Sequence, residues 1–150
     1  MRLALVRQRY SAYGGAERFI ERALGALSWQ GVAVTVLARN WIGDPGNVVR
    51  CDPFHIGRLW RDWSFARAVC REVARRPFDL VQSHERIACC DIYRAGDGVH
   101  AQWLDNRRRA LALRGRLAIA CNPWHHYVLA AERRLFASPG CAPSSAIRAW

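Results

Sequence analysis

A Rossmann-like α/β domain, a parallel sheet flanked by helices, is the fold the sequence predicts. Three observations carry that reading. Short apolar runs at Arg2–Val6, Val32–Ala38 and Phe78–Gln82 have the length and apolar content of buried parallel strands. Amphipathic stretches separate them, and strand, helix, strand, helix, strand is the order of right-handed parallel crossovers. A chain of 150 residues holds one such domain around one sizeable core.

Each element follows from its own residues. The first strand gives way to a loop rich in turn formers, Arg7–Gly15. A helix opens at Ala16, with Phe19, Ile20, Ala23, Leu24 and Leu27 on one face and Arg18, Glu21 and Arg22 on the other. Gly31 ends that connection, and VAVTVLA is the second strand. Asn40–Phe54 contains Gly43, Pro45, Gly46 and Pro53 and reads as loop, with a short strand at Asn47–Cys51. Trp60–Arg76 is a second amphipathic helix. In it Phe65, Val69 and Val73 recur at every fourth position while Arg67, Arg71 and Arg75 face water, and Pro77 stops it. After the third strand, Ser83–Asp97 is loop-rich with a short strand near Asp91–Arg94. Helices follow at His100–Ala112 and Trp124–Phe136. Residues 139–150 have turn composition and no strand signal.

Composition narrows the function. Apolar residues are 51% and charged residues 23% of the chain, a globular balance rather than a disordered one. No apolar run approaches the roughly 18 residues that span a bilayer. The first ten residues lack a secretory pattern, so the cytoplasm is the expected compartment. All 23 basic residues are Arg against 12 acids, a net charge of +11. The absence of Lys fits a GC-rich genome; the size of the excess points to anionic partners, whether nucleic acid, lipid headgroups or a phosphorylated substrate. Cys51, Cys70, Cys89, Cys90, Cys121 and Cys141 form no C-x-x-C pair. Buried free thiols are expected, and no metal centre.

In a parallel sheet ligands sit at the carboxyl ends of the strands, here Gln8–Gly15, Arg39–Asp44 and Ser83–Arg86. Gly14–Gly15 opens the first helix, where free amides attract phosphate, although a purely structural turn explains the pair equally well. It is not the G-x-G-x-x-G of a dinucleotide site. His84 stands at the rim, placed for proton transfer or for a hydrogen bond to a sugar hydroxyl; a rim histidine bonded to backbone is the bland alternative. Asp97 lies between two glycines, reaching into a cleft or merely turning the chain. Arg107–Arg109, with Arg114 and Arg116, is a solvated helical face or a contact for an anionic surface. Trp60, Trp63, Trp103 and Trp124 are expected mostly in the core.

The ordered series YSAYGGAER, VAVTVLAR and FDLVQSHERI resembles the N-terminal domain of GT-B glycosyltransferases of family 4. CDIYRAGDGVHAQWL and WHHYVLAAERRLF are similar to the subgroup that contains the lipopolysaccharide core glucosyltransferase. The resemblance runs from residue 1 to about residue 138. It implies a UDP- or GDP-linked sugar donor, no essential metal or other cofactor, and a glycan or lipid-linked acceptor. Retention of anomeric configuration is also implied. It places Gly14 and Gly15 near the donor diphosphate. Asp97 is the first choice of catalytic base and His84 the second, with Glu85, Arg86 and His100 on the acceptor side. Peripheral contact with the cytoplasmic face of the inner membrane is implied as well.

Such an enzyme has two domains, and residues 1–138 correspond to an incomplete first one, without the donor domain. Activity alone is not expected. The family would place a strand and an Asn-Ser-like turn after the last helix. Residues 139–150 are therefore read as an aberrant tail produced by a frameshift near Gly140, leaving an open sheet edge. Two other functions are compatible with the sequence. One is a stand-alone acceptor-binding module that works with a separately encoded donor-domain partner. The other, less favoured, is a basic nucleic-acid-binding domain, against which stands the dispersal of its arginines and the absence of a recognised motif.

Overall fold

The computed structural model describes residues 1–9, 22, 24–41, 47–96 and 98–138, with the backbone of 142–143. Among these residues six strands are formed: β1 (Arg2–Val6), β2 (Ala33–Ala38), β3 (Val48–Arg50), β4 (Leu80–Ser83), β5 (Ile92–Tyr93) and β6 (Ala142–Pro143). The helices are α1 (helical over 24–29), α2 (Gly57–Arg75), α3 (His100–Ala110), α4 (Leu113–Ala120) and α5 (Pro123–Ala137). All strand pairs are parallel, in the order β3-β2-β1-β4-β5-β6.

The predicted fold class holds because the central strand is apolar on both faces. Leu3, Ala4, Leu5 and Val6 are all buried. Ala4 and Val6 pack with Leu37, Phe65, Val69, Val81 and Leu135 beneath α2 and α5. Leu5 faces the other way, with Val36, Ala38 and Leu24 of α1. The periodicity read in α2 is the buried stripe: Phe65 and Val69 are within 1% of full burial. Gly31 ends α1 with φ of 72°, a left-handed conformation that costs glycine nothing. The Val32 N–H then reaches back to the Leu27 carbonyl at 3.0 Å, closing the helix in a Schellman-like cap.

Four expectations are corrected. Cys70 and Cys89 form a disulfide, joining α2 to the loop after β4, while Cys51, Cys90 and Cys121 are not disulfide-bonded. Composition carries no information about which thiols a helix crossing brings within a Cα separation of 5.7 Å. Trp60, Trp63 and Trp103 are 40–49% exposed rather than core residues. α4 forms where no helix was read, because LRGRLAIA lacks an apolar stripe and none of its residues is buried. Ala142–Pro143 pairs with β5, so the tail expected to lack a strand supplies a short one. Gly14, Gly15 and Asp97, and the start of the first helix, lie outside the described residues.

Candidate active site

The strand order reverses between β1 and β4, and at such a point crossovers leave in opposite directions and open a crevice. Gln8 follows β1 and Glu85 follows β4, and the Gln8 backbone N–H donates to Glu85 Oε1 at 2.9 Å. The β4 loop is set locally. Fully buried Ser83 accepts from the Glu85 N–H at 3.0 Å, and its hydroxyl donates to the Glu85 carbonyl at 2.7 Å. This tight turn presents Glu85 and Arg86 to the crevice and buries His84, whose backbone N–H donates to Val6 O.

Asp62 of α2 closes one side. It accepts from Gln8 Nε2 at 3.1 Å, from Arg61 Nε at 2.9 Å and from the indole N–H of Trp124, in the first turn of α5, at 2.8 Å. Burial alone would raise its pKa, but the hydrogen bonds from Trp124, Arg61 and Gln8 outweigh burial and hold the carboxyl below its ordinary range. Tyr127 lines the same cleft. Burial first, and the Asp62 charge second, push its phenol up to about 12, so it stays neutral and able to donate. The enclosed part of the cleft is about 50 Å³, room for a few waters and not by itself for a hexose. Its walls nonetheless offer carboxylate, guanidinium, amide, phenol and indole groups, the repertoire for holding sugar hydroxyls.

The other sequence-predicted residue, His100, begins α3 behind Arg86. Glu132 of α5, only 3% exposed, connects them. Its Oε1 accepts from Arg86 Nε at 2.8 Å and from the His100 N–H at 2.7 Å, and its Oε2 accepts from the Ala101 N–H at 3.3 Å. The residue before α3, Val99, has no capping side chain, so Glu132 caps this helix from another element. The His100 ring stacks on Trp103 and His125 and meets Trp124 edge-on, with Nε2 3.0 Å from His125 Nδ1.

Structure thus brings Glu85 and Arg86 into the cleft, buries His84 between them and β4 rather than in the cleft lining, and joins His100 to Arg86 through Glu132. Asp62 and Glu132 were not singled out from sequence. Both carry the same signal: a carboxylate on a helix's buried stripe, Asp62 three residues before Phe65, and Glu132 between Val128 and Leu135. Among the described residues no group of three metal-binding side chains occurs.

The two histidines make the site sensitive to mild acid. Burial lowers the pKa of each below the ordinary 6.5; Arg86 and His125 add to this for His100, and His126, Arg108 and Arg58 for His125. A histidine depressed in the folded state stabilises the fold above its unfolded pKa, and that contribution is lost as pH falls from about 6.5 toward the folded value. The urea midpoint is expected to fall as pH drops below about 6.5, and Trp103 and Trp124 emission to be quenched only at the lower pH where the folded protein itself takes up the proton. His100→Gln should flatten both changes; an unchanged profile would refute the assignment.

A parallel sheet with a cleft at this reversal is a Rossmann-like α/β arrangement. The crystal structure of WaaG, a glycosyltransferase involved in lipopolysaccharide biosynthesis, matches it with a TM-score of 0.78 at 20% identity, over 94% of this chain and 37% of that one. The Glycosyltransferase Family 4 model matches residues 13–150, and the chain belongs to that family. The resemblance read from the sequence motifs is borne out. No curated protein sequence matches the chain.

Proposed function

We propose that this chain is the acceptor-side half of an enzyme that transfers a sugar from a UDP- or GDP-linked donor to a glycan or lipid-linked acceptor of the lipopolysaccharide kind. The observation that supports this most is a family 4 match over residues 13–150 coinciding with a polar cleft at the strand reversal. In this reading the backbone amides of Gly14 and Gly15 meet the donor diphosphate. Asp97 takes the proton of the acceptor hydroxyl as its oxygen bonds the anomeric carbon and the bond to diphosphate breaks, with His84 next in order for that role. Glu85, Arg86 and His100 hold the acceptor. Amides and guanidiniums offset the departing diphosphate charge, so the reading needs neither metal nor cofactor. In this reading the donor is held by a second domain.

Peripheral contact with the inner membrane belongs to the same proposal. Leu113 and Leu117 of α4 are 72% and 56% exposed, beside Arg107–Arg109 at the end of α3 and Arg114 and Arg116. Apolar side chains ringed by Arg suit an anionic bilayer surface.

The test is sugar transfer from UDP-glucose or GDP-mannose to lipopolysaccharide lacking its outer core, by this chain fused to a family 4 donor domain. Transfer by the fusion, lost about a hundredfold or more in Asp97→Asn, supports the reading. Transfer unaffected by Asp97→Asn and His84→Gln overturns the base assignment, and equal transfer by the unfused chain overturns the half-enzyme reading.

A further inference from the structure

A second cavity, of about 280 Å³, opens at the outer edge of the sheet between the end of β3 and the later turns of α2. Its lining includes Arg50, Cys51, Asp52, Arg71, Glu72 and Arg75, none of which lines the cleft at the strand reversal. The charges are unevenly matched. Asp52 is shared between Arg39 Nη1 and Arg50 Nη2, both at 2.8 Å. Glu72 is shared between Arg75 and Arg76 at 3.4 and 3.3 Å. Four guanidiniums thus share two carboxylates, and Arg71, on the cavity wall with Arg50 and Arg75, is in no ion pair among the described residues.

The competing explanation applies to only part of this set. Cations at a helix C-terminus offset its dipole, which accounts for Arg75 and Arg76. Arg50 comes from a different element, and Arg71 lies a full turn earlier. Both Asp52 and Glu72 are already occupied, so neither repels an incoming anion at full strength. The buried Cys51 thiol adds no negative charge, because burial, then Glu72, push its pKa up to about 11.

We propose that this cavity is a binding site for a phosphoryl group, gripped by Arg71 and Arg50 with Arg75 in support, and carried by a molecule no larger than a sugar phosphate. Planar guanidiniums from two elements suit the tetrahedral oxygens of phosphate, each offering a pair of parallel N–H donors. The site lies apart from the transfer cleft and does not depend on the chain's role in sugar transfer.

Calorimetric titration of the whole chain with inorganic phosphate and with glucose 6-phosphate, at constant ionic strength, tests this. Wild-type protein is expected to bind with a stoichiometry near one. Arg71→Gln and Arg50→Gln should each weaken binding about tenfold, the loss of one bidentate contact. Arg133→Gln, an exposed arginine on α5, should leave it unchanged. Tighter binding of glucose 6-phosphate identifies a sugar phosphate as the occupant, and equal binding identifies free phosphate; both support the site. Absence of saturable binding overturns it, as does equal weakening in all three variants. Circular dichroism showing a native fold in Arg71→Gln secures the comparison.

Discussion

Replacement of Glu132 by Ala is expected to destabilise the protein by about 3–5 kcal/mol, the usual cost of removing one partner from a buried ion pair. Three groups lose their acceptor at once: Arg86 Nε, the His100 N–H and the Ala101 N–H. Arg86 retains some access to water, with its side chain 24% exposed, so part of its charge can be resolvated. The two amides cannot be rescued locally, because Val99 provides no cap. Glu132→Gln should cost less, about 1–2 kcal/mol, since the amide oxygen still accepts while the charge is lost. Urea unfolding measures both. A local consequence separates this from general weakening: release of the α3 N-terminus would unstack His100 from Trp103 and His125 and shift tryptophan emission to the red. A loss below 1 kcal/mol for Glu132→Ala, with unchanged emission, would show that the cap carries little.

Which features were legible in the sequence follows a physical division. Elements whose information is local were readable. β1 and β2 are short apolar runs, α2 repeats its apolar residues at helical spacing, and Gly31 is the residue a helix needs to end in the left-handed region. The paired motifs around His84 and His100 then identified the family. Features created by contacts between distant elements were not readable. Nothing near Cys70 specifies Cys89 as its partner, and nothing near Val99 announces that its helix is capped from α5. Trp60 and Trp63 illustrate the same limit. Their size argues for burial, but α2 places both on the outer side, where Trp60 meets exposed Phe54 edge-on and Trp63 carries Arg67 over its ring. The site itself was half legible. Position after β4 singled out Glu85 and Arg86, whereas Asp62 and Glu132 needed the observation that a carboxylate interrupts a buried stripe.

Arg39 shows how a residue at the right end of a strand can serve the frame rather than the ligand, and its removal is expected to be nearly as costly. It directly follows β2, yet only 4% of it is exposed. Nη1 donates to Asp52 Oδ1 at 2.8 Å and Pro53 O at 2.9 Å, and lies 2.7 Å from His55 Nδ1; Nη2 donates to Arg61 O at 2.9 Å and Ser64 Oγ at 3.2 Å. The guanidinium also lies over the Phe65 ring. One side chain therefore fastens the β3–α2 connection to the turn of α2 that precedes Phe65. Arg39→Ala should cost about 3 kcal/mol by stranding these acceptors. Arg39→Lys should recover little, because an ammonium cannot reproduce a planar fork reaching both Asp52 and Arg61 O. Acid titration adds a check. Asp52 is held below its ordinary 3.8 first by the hydrogen bond from Arg50, against burial, and then by Arg39. A carboxyl depressed in the folded state stabilises above its unfolded pKa and loses that contribution as pH falls below about 4. Arg39→Ala should therefore retain more of the wild-type loss of stability in that window than Arg50→Ala does, even though Arg50→Ala costs less at neutral pH. The reverse order would mean that the buried arginine, and not the exposed one, sets the charge on Asp52.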